Sequence, residues 1–135
     1  MRIFIDSPLL IYLNASRSPE LRTKYENFYL SLLSEHRAYL DVLVLDELIY
    51  VSRRKYRVPY DVSIEFIESI VLPYVEVLPL AAEEFREASE ILKSSNVKPS
   101  DALHIAVMKL NGISKIVSED RELDKIEGIE RIWLT

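Results

Sequence analysis

Asp6, Glu47, Asp101 and Asp120 lie far apart in the chain, yet each ends a strand-like run or falls in the opening turn of a helix-like one. In an open α/β sheet those positions meet at one edge, in the crevice beyond the carboxyl ends of the strands. Carboxylates gathered within a few ångströms repel and raise one another's pKa unless a cation neutralises them. The donors are oxygens only, in a chain with no cysteine and no helical pair of histidines. That chemistry suits Mg²⁺ or Mn²⁺ better than Zn²⁺. Ions so held orient a water, lower its pKa and stabilise the charge that grows on a phosphate during phosphoryl transfer.

Each acid also has a plainer reading. Asp6 could only cap the helix that follows it. Glu47 and Asp101 could be first-turn acids favoured by the helix dipole. Glu47 borders the apolar stripe of Leu45, Leu48 and Ile49 more closely than its neighbour Asp46 does. Asp120 stands in a charged run, where a solvated face is the usual explanation, and Asp124, one turn on, reads as a surface acid. Only the joint placement of the four argues for a site. Ser7 and Ser118 are candidate supporting hydroxyls, with a backbone-bonded strand-end hydroxyl as the plainer role for Ser118. His104 reads as a satisfied structural histidine rather than a general base.

These residues need a scaffold that brings strand ends together. Arg2 to Ile5 is an apolar run ending on Asp6, and Pro8 to Leu13 suits a first helix because proline is tolerated near a helix start. Ser18-Pro19-Glu20 opens a second helix to about His36. Tyr39 to Val44 is β-rich, and Leu45 to Tyr56 reads as a helix with Arg53, Arg54 and Lys55 at its basic end. A helix from Pro59 through Val71 has Val62, Phe66, Ile67 and Ile70 on its apolar side. Val75 to Leu78 is a strand, and Ala81 to Ser95 a helix with Phe85, Ala88, Ile91 and Leu92 on one face. Ser100 is the expected N-cap of a helix from Asp101 to Leu110. Lys115 to Ser118 is a strand, Asp120 to Lys125 a helical turn, and Ile129 to Leu134 the last strand. About five strands alternating with helices predict a mainly parallel sheet covered on both faces.

The chain has 135 residues, 49% of them hydrophobic, which suits one domain spanning 1–135. A formal charge of −5 argues against a broadly basic surface that would hold nucleic acid by phosphate neutralisation alone. With four acids neutralised by bound cations the remainder is nearly neutral, so a nucleic-acid substrate is compatible with the charge. No apolar stretch is long enough for a membrane span, and the amino terminus lacks the pattern of a secretory signal. The absence of cysteine agrees with a cytoplasmic location. Arg53, Arg54, Lys55 and Arg57 with Tyr56 form the densest basic stretch: a solvated helix end, or a contact for phosphates if it borders the acidic crevice. Tyr12, Tyr25, Phe28 and Tyr29 could form core or a dimer contact.

The order of four segments resembles the PIN-domain nucleases, and within them the small VapC-like toxin ribonucleases. They are Ile3-Phe4-Ile5-Asp6-Ser7 with Leu10-Ile11-Tyr12, then Leu45-Asp46-Glu47-Leu48, then Ser100 to Ala106, then Val117 to Asp124. The resemblance implies a three-layer α/β/α sandwich, Mg²⁺ or Mn²⁺ as the cofactor, and hydrolysis of RNA phosphodiester bonds. It implies that Asp6, Glu47, Asp101 and Asp120 are the metal-binding and catalytic acids, with Ser118 as the hydroxyl residue that precedes the last of them. It also implies a homodimer and an antitoxin protein as partner. Pro8 departs from the pattern, standing where many relatives carry an Asn. That departure motivates the competing expectation of a catalytically weak or inactive RNA- or protein-binding module. A phosphoacceptor receiver or an aspartyl-phosphate phosphatase fits less well, since Asp6-Ser7-Pro8 supplies neither the acid pair nor the second Asp those chemistries use.

Overall fold

The computed structural model describes residues 1–134. Five strands, β1 (Arg2–Ile5), β2 (Arg37–Asp41), β3 (Val75–Leu78), β4 (Lys115–Val117) and β5 (Glu130–Ile132), form one sheet in the order β3-β2-β1-β4-β5. All four pairings are parallel. Parallel neighbours need crossovers. These are supplied by α1 (Ser7–Ala15), α2 (Pro19–Glu35), α3 (Val42–Tyr56), α4 (Tyr60–Phe66), α5 (Ala82–Ser94) and α6 (Pro99–Leu110). A single π-type turn, Ile67–Val71, continues α4, and a 3₁₀ turn, Arg121–Lys125, joins β4 to β5.

The central strands are apolar on both faces because helices cover both. Ile3, Phe4 and Ile5 of β1 and Ile116 and Val117 of β4 are buried, packed with Leu9 and Leu10 of α1 and Ala102, Ile105, Ala106 and Met108 of α6. Burying one such large side chain contributes about 1.5–3 kcal/mol. The chain leaves β1 toward β2 and β3 and later returns to place β4 on the other side of β1. The strand order therefore reverses between β1 and β4, which is where an open parallel sheet leaves a crevice at its carboxyl edge. Asp6 follows β1, and Ser118 and Asp120 follow β4.

Three local expectations are corrected. The β-rich reading of Tyr39 to Val44 fails because Asp41 ends the strand: its carboxylate accepts a hydrogen bond from the Val44 N–H at 3.2 Å and caps α3, which begins at Val42. Glu47 thus sits in the second turn of that helix, whose buried side is Val44, Leu48 and Ser52. Ser100 is not the N-cap of α6. Pro99 takes the first helical position, where its missing N–H costs nothing, and Lys98 is the cap. The faces assigned to two helices hold only in part: Ile67, Ala88 and Ile91 are buried as expected, whereas Val62, Ile70, Phe85 and Leu92 are exposed and Ser63 and Val71 point inward.

Candidate active site

Asp6 is the N-cap of α1, held almost entirely out of water. One carboxylate oxygen accepts from the Ser7 N–H at 2.8 Å, and the other accepts from the Ser118 hydroxyl at 2.7 Å. The contact from Ser7 is made by its backbone, not its side chain. Ser118 combines both roles weighed for it, because its oxygen also accepts from the Asp120 N–H at 3.2 Å. A single buried hydroxyl thus ties the end of β1 to the turn after β4. Pro8 occupies the opening turn of α1 and lines the same cleft.

His104, projecting from α6 and fully buried, links three acids. Its Nδ1 donates to Asp41 Oδ2 at 2.8 Å, its Nε2 donates to Glu47 Oε1 at 2.9 Å, and Nε2 lies 3.8 Å from Asp6 Oδ1. An ionised carboxylate can only accept, so two such partners require both ring nitrogens to carry protons. Burial pulls the imidazole pKa down, but the hydrogen bonds to Asp41 and Glu47 and the charges of Asp41 and Asp6 outweigh it and push it up to about 10. His104 is therefore a resident cation. Phe4 packs against its ring with centroids 5.4 Å apart.

Asp101 enters from the first turn of α6 and Asp120 from the cap of the 3₁₀ turn, where it accepts from the Glu122 N–H at 3.0 Å. Burial, reinforced by the charges of Asp6 and Asp120, raises the Asp101 pKa to about 6. Burial likewise raises Asp6, against the lowering effect of His104 and of the Ser118 and Ser7 hydrogen bonds. The four acids picked out in the sequence line one cleft of about 410 Å³, with Lys98, Glu119 and Arg121 at its rim. Asp124 is elsewhere, exposed and paired with Arg131 at 2.9 Å.

The donor set fits a hard divalent cation. Asp6, Glu47 and His104 offer ligand atoms within 4.8 Å of one another. His104 is the poorest of these donors, because a metal ligand must be neutral while this ring is held protonated by two carboxylates. Oxygens of Asp6, Glu47, Asp101 and Asp120 remain, and burial together with the charges of Asp6 and Asp120 holds the Asp101 pKa up at about 6. Asp41 was missed in the sequence reading. Its signal is the lone acid inside the apolar stretch Tyr39 to Val44, which an N-cap explains and a continuous strand does not.

Residues 3–129 match the family model described as PIN domain. The chain is similar to a VapC ribonuclease of Mycobacterium bovis and to ribonuclease VapC13 of Mycobacterium tuberculosis. It is 29% identical to each over 136 residues, which cover 96% of this chain and 98% of each relative. Among solved structures it is similar to VapC20 of Mycobacterium tuberculosis, a sarcin-ricin loop cleaving toxin, with a TM-score of 0.72 and 19% identity over 90% of this chain and 92% of that one. It is also similar to VapBC2 of Rickettsia felis bound to a promoter DNA fragment, with a TM-score of 0.74 and 17% identity over 100% of both chains.

Proposed function

The chain belongs to the PIN-domain family, and from that premise we propose that it is a metal-dependent endoribonuclease, the toxin of a toxin–antitoxin pair. The observation that carries the reading is the convergence of Asp6, Glu47, Asp101 and Asp120 on one cleft at the reversal point of the sheet. Relatives named VapC ribonuclease support the substrate class, and solved VapBC assemblies support an antitoxin partner. In the same reading the protein is a homodimer, and Val42, Leu45, Ile49 and Ile64 line an apolar depression on its surface. Among the described residues no helix is long and apolar enough to cross a membrane, which agrees with a cytoplasmic site of action.

In this reading Asp6, Asp101 and Asp120 hold Mg²⁺ or Mn²⁺, and Glu47 completes the set as a ligand or by orienting the attacking water. The ion, when bound, supplies Lewis-acid stabilisation of the phosphodiester and a lowered pKa for water. The chain's own residues do the positioning. Ser118 and the Ser7 N–H each take one lone-pair direction of Asp6 and fix its carboxylate plane. His104 holds Glu47 in one rotamer through Nε2 and is itself held by Asp41, the arrangement by which an outer partner orients an inner carboxylate. Lys98 and Arg121 at the rim face the polyanionic substrate.

The test is cleavage of single-stranded and structured RNA by purified protein under Mg²⁺ or Mn²⁺ titration, with chelator and Asp101→Asn controls. Chelator-sensitive cleavage that Asp101→Asn abolishes is the expected result. Saturable RNA association with no cleavage at any metal concentration would instead establish the binding-module reading, for which Pro8 at the cleft wall is the motivating feature.

A further inference from the structure

A second cavity, of about 550 Å³, lies at the far end of α1, between the α1–α2 connection and the last turn of α3. Its lining carries Arg17, Lys55 and Arg57 together with Tyr12, Tyr25 and Tyr56, and no carboxylate. In a chain of formal charge −5 that is a pronounced local inversion. Among the described residues none of the three cations forms an ion pair; Arg17 makes only a 3.4 Å hydrogen bond to the Tyr56 carbonyl. The basic run at the end of α3 is divided in its use: Arg53 stacks on Tyr60 with its guanidinium carbon 5.6 Å from the ring centroid, whereas Lys55 and Arg57 turn to the cavity.

Arg57 adds an independent sign. It is the one non-glycine residue with positive φ among the described residues, at φ 61° and ψ 29°, and closes α3 by donating its N–H to the Arg53 carbonyl at 3.0 Å. Glycine or asparagine is the usual choice at that position. A residue with a Cβ held in the left-handed region has a side chain that the position keeps despite the backbone strain.

The two cavities share a wall. Tyr12 lines the basic one, and its hydroxyl donates to the carboxylate of Glu119, which lines the acidic one. Tyr12 is stacked on Tyr25 with centroids 4.8 Å apart and braced by Trp133 at 6.4 Å, so the wall is fixed. Helix α1, nine residues and about 14 Å long, runs from Asp6 at one cavity to Ser16 at the other. An extended ligand can reach both, while a single small anion cannot. Carboxylates in the acidic cleft give no affinity for a polyanion before a cation neutralises them, so affinity has to come from cations placed outside it.

We propose that the cavity bounded by Arg17, Lys55, Arg57 and the three tyrosines is a subsite for single-stranded RNA flanking the scissile bond, taking phosphates on the cations and bases on the rings. Alternating cations and aromatic faces are how proteins hold single strands without reading sequence. The inference rests on the nucleic-acid substrate of the reading above, and binding measured without turnover separates the two.

The experiment uses the full chain carrying Asp101→Asn, with a short fluorescent single-stranded RNA, and measures affinity across a salt series. Arg57→Gly removes the side chain while suiting the left-handed backbone better, which keeps the fold intact. Together with Arg17→Ala it is expected to weaken binding by about tenfold or more and to lower the log–log salt slope by roughly 0.7 for each phosphate that is no longer neutralised. Tyr56→Leu is expected to weaken binding while leaving the slope in place. Lys93→Ala, on α5, removes one positive charge elsewhere and serves as the control for each arginine variant taken singly. Arginine variants that match Lys93→Ala in both affinity and slope overturn the proposal. So does retention of RNA affinity with loss of binding to a polyglutamate peptide, which would assign the cavity to an acidic polypeptide. If the wild-type chain cleaves no RNA yet the arginine variants lose affinity and slope, the subsite stands and the nuclease assignment falls.

Discussion

The two walls of the acidic cleft are built on opposite principles. On the α3 side, Asp41 and Glu47 are bound to His104, whose charge sits between them; Asp41 has no exposed side-chain surface and Glu47 keeps 30% of its own. On the other side, Asp101 and Asp120 form no ion pair among the described residues, and the Asp101 pKa is pushed up to about 6 by burial and by Asp6 and Asp120. One wall carries its own counter-ion, and of its two acids only Glu47 lines the cleft. The other is a repulsive arrangement that a bound cation relieves. The difference separates charge that holds the fold from charge that awaits a ligand, although all these residues are equally acidic in the sequence.

The largest effect is expected on the compensated wall. His104→Ala leaves Asp41 buried without its partner, and breaking a buried pair by removing one member costs about 3–5 kcal/mol. Urea unfolding of metal-free protein measures this. The companion Asp41→Asn should recover part of the loss when combined with His104→Ala, because the orphaned charge is gone. A His104→Ala chain as stable as the wild type would mean that the pair does not hold the fold, and the contrast between the walls would collapse.

Asp101→Asn should behave in the opposite way. Removing an outer partner of a metal ligand typically costs 10- to 100-fold in affinity or activity, so loss of a proposed ligand should cost more than about 100-fold in metal-dependent cleavage. The same change takes a repelling charge from the cleft, and the metal-free protein should unfold at equal or higher urea concentration than the wild type. Destabilisation comparable to that of His104→Ala would show that Asp101 is structural. Ser118→Ala lies between the walls. It frees one oxygen of Asp6 and the N–H of Asp120, and a loss of Mn²⁺ affinity of roughly 10- to 100-fold is expected, read by titration calorimetry.

How much of this was legible in the sequence follows the same division. The alternation of strands and helices, and hence a parallel α/β sheet with acids at its edge, is written in short apolar runs and in Pro8, Pro19 and Pro59 near helix starts. Asp6, Asp101 and Asp120 could be picked out because strand ends and helix starts are local features, whereas Glu47, read as a first-turn acid, stands in the second turn because α3 begins at Val42. Asp41 could not, since Tyr39 to Val44 is apolar on either side of it and only a side-chain hydrogen bond to Val44 ends the strand there. Its partner His104 lies 63 residues away, and local periodicity carries no information about such a pairing. Phe85 fits an apolar helix face in the sequence yet is exposed, because α5 turns Ala88 and Ile91 to α6 instead. Charge compensation, too, is a property of distance and burial, which composition does not contain.

The subtlest test is of pH, where both walls make the native state hold extra protons but in different windows. Asp101 ionises at about 6 in the folded chain against 3.8 for an ordinary aspartate. Between those values the unfolded chain has released a proton that the folded one keeps, so stability falls as pH rises from about 4 to 6 and is level above. Asp6, raised in the same direction, adds to that slope. His104 is protonated up to about 10 against 6.5 for an ordinary histidine, so its contribution is fully present below 6.5 and is lost as pH rises toward 10. Saturating Mn²⁺ should separate the two. A bound cation requires the carboxylates ionised and displaces their protons, so in the lower window the slope of stability against pH should flatten or reverse. The upper window should keep most of its slope, because Asp41, which holds the other ring nitrogen, takes no metal, while a cation on Asp6 and Glu47 removes only part of what raises His104. Urea midpoints at several pH values, with and without Mn²⁺, measure both. A metal effect on the upper window equal to that on the lower would place His104 among the ligands and erase the distinction between the walls.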